Sequence, residues 1–379
     1  MVYIDRLTLT NFRNYDAARL DGLESGAVIF IGANGVGKTN ILEAVSLLSP
    51  GRGLRGASVE DFVNRAKAER PWGVSAEFHD GTAMTKIGTG TTAENLSKRQ
   101  VRINGEMQRS QNALSDYVAC VWLTPQMDRL FLDSSSHRRR FLDRFIYAFD
   151  PAHTGRLTRY EKTLRQRSRL LKDSSKPDEN WLSALEKQMA ESAVAIAAAR
   201  VDFCVRLQEA CVRAQSLDRA YFPLARLQVA GDVEQRIAKS SALEVENWFK
   251  LALQASRPAD AITGGAAVGV HRSDLLVTMA EKEMPADQCS TGEQKALLIG
   301  LVLAHARLIN AERGAPPLLL LDEIAAHLDD DRRAALYARL ADLGGQVWLS
   351  GTDAALFNRY EDRAQRFEIR ESGQILRAE

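Results

Sequence analysis

Residues 32–39 read Gly32-Ala33-Asn34-Gly35-Val36-Gly37-Lys38-Thr39, a complete G-x-x-x-x-G-K-[ST] loop. It follows an apolar run, Val28–Ile31, and opens a helical pattern of Ile41, Leu42, Ala44, Val45 and Leu48. That strand–loop–helix context separates a phosphate loop from a glycine-rich turn that carries a surface lysine. The glycines let successive backbone N–H groups turn inward around phosphate oxygens, and the helix adds its positive N-terminal end. In such a loop Lys38 sits on the β/γ-phosphates and Thr39 holds Mg²⁺, and residues 32–40, Asn40 included, are the expected nucleotide-binding stretch. A nucleoside triphosphate, ATP with Mg²⁺, is the expected ligand.

A second half of the site is expected far down the chain. Pro316-Pro317-Leu318-Leu319-Leu320-Leu321-Asp322-Glu323 is a short apolar run that ends in two carboxylates, as a strand buried on both faces would. Asp322, at the ligand-binding end of such a strand, can reach Mg²⁺. Glu323 can orient or deprotonate an attacking water, so Glu323, Lys38 and Asp322 form the expected catalytic set. The plainer alternative is an acidic helix cap after a core strand.

Between these parts lies Cys289-Ser290-Thr291-Gly292-Glu293-Gln294-Lys295, followed by an apolar helix over Ala296–Ala306. Ser290 and Gly292 at a helix start suit an anion, although the same spacing is also an ordinary capping box. The segment resembles the signature motif of the ABC ATPase superfamily, which implies contact with the γ-phosphate held by an opposite protomer. Ala325-Ala326-His327-Leu328-Asp329 resembles the D-loop of that superfamily, with Ala326 and His327 in place of a serine and an acid. A strand over Gln346–Leu349 leads into Ser350-Gly351-Thr352-Asp353 at the switch-loop position, which, unlike that of transporter ATPases, carries no histidine, so Ser350, Thr352 and Asp353 are the candidates to serve hydrolysis in its place. Gln126, after Pro125, reads either as the Q-loop residue or as a proline-marked loop end.

Further strings narrow the resemblance. Leu9-Thr10-Asn11-Phe12-Arg13-Asn14-Tyr15, Lys38–Ala44, Ser49-Pro50-Gly51-Arg52, His137–Asp143 and Gly269–Leu275 together closely resemble the RecF family of bacterial recombination-mediator ATPases. The resemblance implies an α/β fold: an ABC/SMC-type P-loop ATPase head with a mainly helical inserted lobe and no long coiled coil. It implies Arg13 near the nucleotide, a weak ATPase that homodimerises on ATP, and DNA as partner, double-stranded and gapped. It further implies work with RecR and RecO in loading RecA during gap repair. Two other readings are an ATPase subunit of a transporter and a non-catalytic scaffold in which ATP is structural.

Organisation along the chain agrees with a split head. Strands are expected at Val2–Thr10, Val74–Phe78 and Val118–Leu123, and Val101–Met107 is a hairpin in which Asn104-Gly105 supplies a type I′ turn. From Arg138 to about Leu253 the period is helical: a basic helix, a polar break at Lys172–Asn180, then an Ala-rich helix from Trp181 to about Ala214. Arg257-Pro258 is expected to end this zone, with mixed-sheet pattern resuming at Ala267. The expected division is 1–130 and 263–379 for the two halves of the head and 131–262 for the helical lobe. About 250 residues separate Lys38 from Ser290, far more than in transporter ATPases. Pro151, Pro177 and Pro223 interrupt any sustained heptad repeat.

Net charge is only +1, so global charge does not argue for nucleic acid. Between Ser136 and Lys172, however, eleven Lys and Arg oppose three acids. Arg138, Arg139, Arg140, Arg165 and Arg169 are the candidate phosphate contacts, unless the stretch is simply a solvated helix face. Cys120, Cys204, Cys211 and Cys289 lack metal-ligand spacing, and Cys204 and Cys211 share a helix face as small core residues. Asp5 and Arg6 interrupt any signal-peptide core, and no apolar stretch reaches the ~20 residues of a membrane span. A cytoplasmic location without membrane is expected.

Overall fold

The computed structural model describes residues 2–173, 177–215, 221–360 and 364–378, with His327 and Ser372 described by their backbone alone. Part of the expected polar break, 174–176, therefore lies outside the described residues, as does the side chain of His327. The chain divides into two compact units: Met1–Asp128 with Asp218–Phe222 and Leu298–Glu379, and Arg129–Leu217 with Pro223–Leu297.

The first unit is built on runs of apolar residues with no alternation, the pattern of strands buried on both faces. Ile375–Ala378, Gln365–Ile369, Ala27–Ile31, Val347–Gly351, Leu318–Leu321 and Cys120–Leu123 form one sheet in that order. All neighbours are parallel except the first pair. Ile31 lies opposite Gly351, and Leu321 opposite both Leu349 and Leu123, so the strands end together. Gly32, Asp322 and Thr124 consequently emerge at the same carboxyl edge, where open α/β sheets bind ligands.

A second, antiparallel sheet runs Tyr15–Leu20, Tyr3–Phe12, Gly73–His79, Met84–Thr92, Asn95–Ile103, Glu106–Met107. Gly73–His79 alternates buried and half-buried side chains, as one-sided burial requires. Asn104 and Gly105 have φ of 51° and 88° at the tip of the last hairpin, as the Asn-Gly dipeptide predicts. Ile4, Leu9 and Phe12 of this sheet join Phe30, Leu320 and Trp348 of the parallel one in a single hydrophobic cluster.

The second unit is mainly helical: Ser135–Tyr147, His153–Asp173, Glu179–Gln215, Asp232–Ile237 and Ala242–Thr263. Three expectations are corrected here. A strand, Ala225–Ala230, lies inside the stretch read as helical and pairs antiparallel with Asp274–Met279. That pairing holds 263–297 in the second unit, so the boundary falls at Leu297, inside the helix Thr291–Arg313, and not at 262/263. Pro258 does not end its helix, which continues to Thr263. A mid-helix proline costs about 3 kcal/mol, and side chains brace both sides of this one. Arg257 donates to Glu186 at 2.9 and 2.6 Å, Ser256 donates to Asp260 at 2.6 Å, and Arg167 donates to the Leu253 carbonyl at 2.7 Å.

Candidate active site

The loop after Ala27–Ile31 delivers Lys38 and Thr39 on the first turn of the helix Lys38–Ser46. Ala33, Asn34 and Gly35 are exposed, whereas Gly37 and Lys38 are buried. Gly37 takes φ 117°, and a Cβ there would stand 2.5 Å from Asn14 Nδ2 and 2.7 Å from the Tyr15 hydroxyl. The Lys38 ammonium curls back to donate to the carbonyls of Gly32 and Ala33 at 2.7 and 2.9 Å, and lies 3.7 Å from Glu323 Oε1. Burial pushes its pKa below the usual lysine value, against the opposing pull of Glu323 and Asp322.

Asp322 leaves the strand Leu318–Leu321 with its N–H donated to the Leu123 carbonyl at 2.9 Å, which fixes the backbone at that point. Thr39 Oγ1 donates to its two carboxylate oxygens at 2.9 and 3.0 Å. A hydroxyl and a carboxylate converging in this way form an all-oxygen donor set that fits Mg²⁺. Ser350 Oγ donates to Asp322 Oδ1 at 2.6 Å and accepts the Glu323 N–H at 3.0 Å. Glu323 itself is left-handed, φ 52° and ψ 22°, a conformation few non-glycine residues hold. Its side chain is about one-third exposed, open to solvent on one side and to Lys38 on the other. Lys38, Thr39, Asp322 and Glu323, up to 285 residues apart in sequence, thus share one edge of one sheet.

Other expected residues are placed differently. The Arg13 guanidinium forms a two-point pair with Glu43, 2.8 Å at each bond, and stacks 5.3 Å from the Phe62 ring. Glu43 is fully buried and also accepts from Arg55 at 2.7 Å. Gln126 is exposed on the turn Pro125–Arg129, just past the strand that neighbours the carboxylate strand. Ser350 is buried, with its hydroxyl committed to Asp322, while Thr352 and Asp353 of the switch loop are exposed.

Sequence reasoning gave no role to Asn14 or Tyr15, which hold the phosphate loop from the antiparallel sheet. Asn14 donates to the Val36 carbonyl at 2.9 Å and accepts from Asn40 at 2.7 Å. Tyr15 donates to the Gly37 carbonyl at 3.1 Å. The signal lay beside Arg13 in the string Phe12-Arg13-Asn14-Tyr15: an asparagine at a hairpin tip has a free amide with which to reach outward.

In the second unit, Ser290 and Gly292 are exposed at the start of Thr291–Arg313. The capping box is present: Ser290 donates through N–H and Oγ to Glu293 at 2.9 and 2.8 Å. Lys282 is hydrogen-bonded to Glu293, and this contact, with the Ser290 donors, holds the carboxyl down at about 2.

The basic segment divides by partner. Arg138 makes a two-point pair with Asp274 at 2.8 and 2.7 Å, and Arg139 donates to the Ser273 carbonyl at 2.6 Å. Both expected phosphate contacts are therefore engaged inside the unit. Arg167 is fully buried, donating to Glu186 and Asp260 at 2.9 and 2.8 Å. Arg140, Arg165 and Arg169 are exposed, and Lys162 and Lys172 lie at helical spacing with the last two.

The sequence profile of the family described as RecF/RecN/SMC N terminal domain matches residues 3–372. The "DNA replication and repair protein RecF" of Mesorhizobium japonicum (strain LMG 29417 / CECT 9101 / MAFF 303099) is 50% identical over 364 residues, 96% of this chain and 95% of its own. That of Brucella suis biovar 1 (strain 1330) is 48% identical over 99% of this chain and 96% of its own. Among solved structures, one described as the recombination mediator protein RecF-ATPrS in the RecFOR pathway superposes with a TM-score of 0.86. It is 24% identical and covers 100% of this chain and 98% of its own, a likeness of fold. An Smc head domain with an extended coiled coil from Pyrococcus furiosus gives a TM-score of 0.54 at 17% identity, covering 100% of this chain and 96% of its own. With a phosphate loop and a carboxylate strand meeting on one sheet edge, and near-half identity over almost its whole length, this chain belongs to the RecF family.

Proposed function

We propose that the protein is an ATP-dependent DNA-binding switch of recombinational gap repair and replication. The observation that carries this reading is that the phosphate loop and the carboxylate strand meet in two pairs, Thr39 with Asp322 within hydrogen-bond distance and Lys38 with Glu323 within ion-pair distance. Lys38 and the loop N–H groups grip the triphosphate; Thr39 and Asp322 hold the cation; Glu323 takes the proton of the attacking water. Bound Mg²⁺ supplies charge neutralisation on the phosphate oxygens. An intact Glu323 favours a hydrolase over a purely structural ATP site.

Ser290 and Gly292 of a second copy cap the γ-phosphate, so ATP joins two chains and its hydrolysis releases them. Because the nucleotide binds the closed form preferentially, dimerisation follows ATP by mass action. The second unit, with Arg140, Arg165 and Arg169, meets duplex phosphates without reading sequence. In this role the protein recognises gapped duplex in the cytoplasm and, with RecR and RecO, helps load RecA. Among the described residues no helix is long and apolar enough to cross a membrane.

Sedimentation velocity tests the reading directly. With ATP and Mg²⁺ the wild-type protein is expected to shift from monomer to dimer, and Lys38→Met to stay monomeric. A wild-type protein that remains monomeric at saturating ATP and Mg²⁺, with duplex DNA present, would overturn the proposal.

A further inference from the structure

We infer that Ser350 is a positioning residue that sets both carboxylates of the ATP site, and is not the stand-in for the histidine of transporter switch loops. The inference rests on the reading of Asp322 as cation ligand and Glu323 as base given above. Ser350 lies on Val347–Gly351, the strand between the phosphate-loop strand and the carboxylate strand, and is 1% exposed. A hydroxyl has one proton to donate and lone pairs with which to accept. Here the proton goes to Asp322 Oδ1 at 2.6 Å, and a lone pair takes the Glu323 N–H at 3.0 Å. With its proton committed to Asp322 and its oxygen buried, Ser350 has no donor left to offer an attacking water or a phosphate oxygen.

What it can do is fix two neighbours at once. The short bond to Oδ1 restricts rotation of the Asp322 carboxylate, whose oxygens are also the ones Thr39 reaches. The bond from the Glu323 N–H anchors a residue held at φ 52°, and that backbone turn sends the Glu323 side chain toward Lys38. Partners that orient a metal-binding group from behind typically change metal affinity or activity by about 10–100-fold when removed. The other switch-loop candidates differ. Asp353 accepts the Ala355 N–H at 2.8 Å and caps the turn that follows, which leaves Thr352 as the exposed hydroxyl of the loop.

The test separates cation from nucleotide. Binding of a fluorescent ATP analogue is measured in EDTA and across a Mg²⁺ titration for the wild type, Ser350→Ala, Ser350→Cys and Thr352→Ala. Cysteine keeps the shape of serine but is a weak donor, so it covers the case in which alanine fails to fold. Both Ser350 variants are expected to need about tenfold or more Mg²⁺ for half-maximal enhancement, with affinity in EDTA unchanged. Thr352→Ala is expected to keep the wild-type Mg²⁺ midpoint. A Ser350 variant that keeps the wild-type midpoint, or loses affinity equally in EDTA, overturns the inference. A wild-type protein whose binding ignores Mg²⁺ overturns instead the reading of the site on which it rests.

Discussion

A single carbon added at Gly37 would meet the Asn14 amide and the Tyr15 hydroxyl well inside contact distance, at a φ of 117° that L-residues rarely adopt. Strained backbone positions of this kind cost on the order of 1–3 kcal/mol, and the clash adds to that. Gly37→Ala is therefore expected to lower the melting temperature and to abolish the further rise expected of the wild type with ATP and Mg²⁺. Thermal unfolding with and without nucleotide checks both, and an unchanged nucleotide-induced rise would contradict the assignment. At this scale the phosphate loop was legible because its chemistry is local: eight consecutive residues carry their own geometry. Arg13, Arg138 and Arg139 were not, because their partners, Glu43, Asp274 and the Ser273 carbonyl, lie 30 to 136 residues away. An arginine looks the same in sequence whether it faces solvent or a buried carboxylate.

The start of Thr291–Arg313 illustrates what an element adds to its residues. Ser290 and Glu293 close a capping box, and Lys282 with the Ser290 donors pulls the Glu293 pKa from its ordinary 4.5 down to about 2. A carboxylate with a lowered folded-state pKa stabilises fully above its unfolded value, and that contribution is lost as pH falls toward the folded one. The cap is thus expected to hold at pH 5 and above and to weaken progressively between about 4.5 and 2. Hydrogen exchange over the first turn, corrected for intrinsic rates, should show protection that falls across this window. Glu293→Gln should lack this pH dependence, and a cap equally protected at both ends of the window would refute the role given to the carboxylate. Elements with continuous apolar runs, such as Leu318–Leu321, were plain in the sequence. Ala225–Ala230 was not, since its ladder partner begins at Asp274 and its own residues fit either period. Pro258 misled because the ion-pair partners that sustain its helix, Arg167 and Glu186, come from two other helices.

Over the whole molecule, the division into a split head and a helical lobe could be seen in the change of hydrophobic period, but the second boundary could not, because sheet pairing and not helicity sets it. The basic segment makes the same point. Eleven cations in sequence become a smaller exposed set once Arg138, Arg139 and Arg167 turn inward. Replacing Arg140, Arg165 and Arg169 together by alanine is expected to weaken duplex binding uniformly across sequences. Each arginine that touches a phosphate should also flatten the slope of log affinity against log salt by about 0.9. Fluorescence anisotropy at several salt concentrations reads both effects, and an unchanged slope would move the DNA surface elsewhere.

Arg138 with Asp274 and Arg139 with Ser273 join the two places where the chain leaves for, and returns from, most of the helical lobe. Whatever lies between is hung from a closed ring. Segments that do not touch the clasp could be lengthened or trimmed inside that ring while it keeps the same grip, whereas Ala230, the ladder partner of Asp274, and Glu234, which accepts from the Ser273 hydroxyl, could not be exchanged without loosening it.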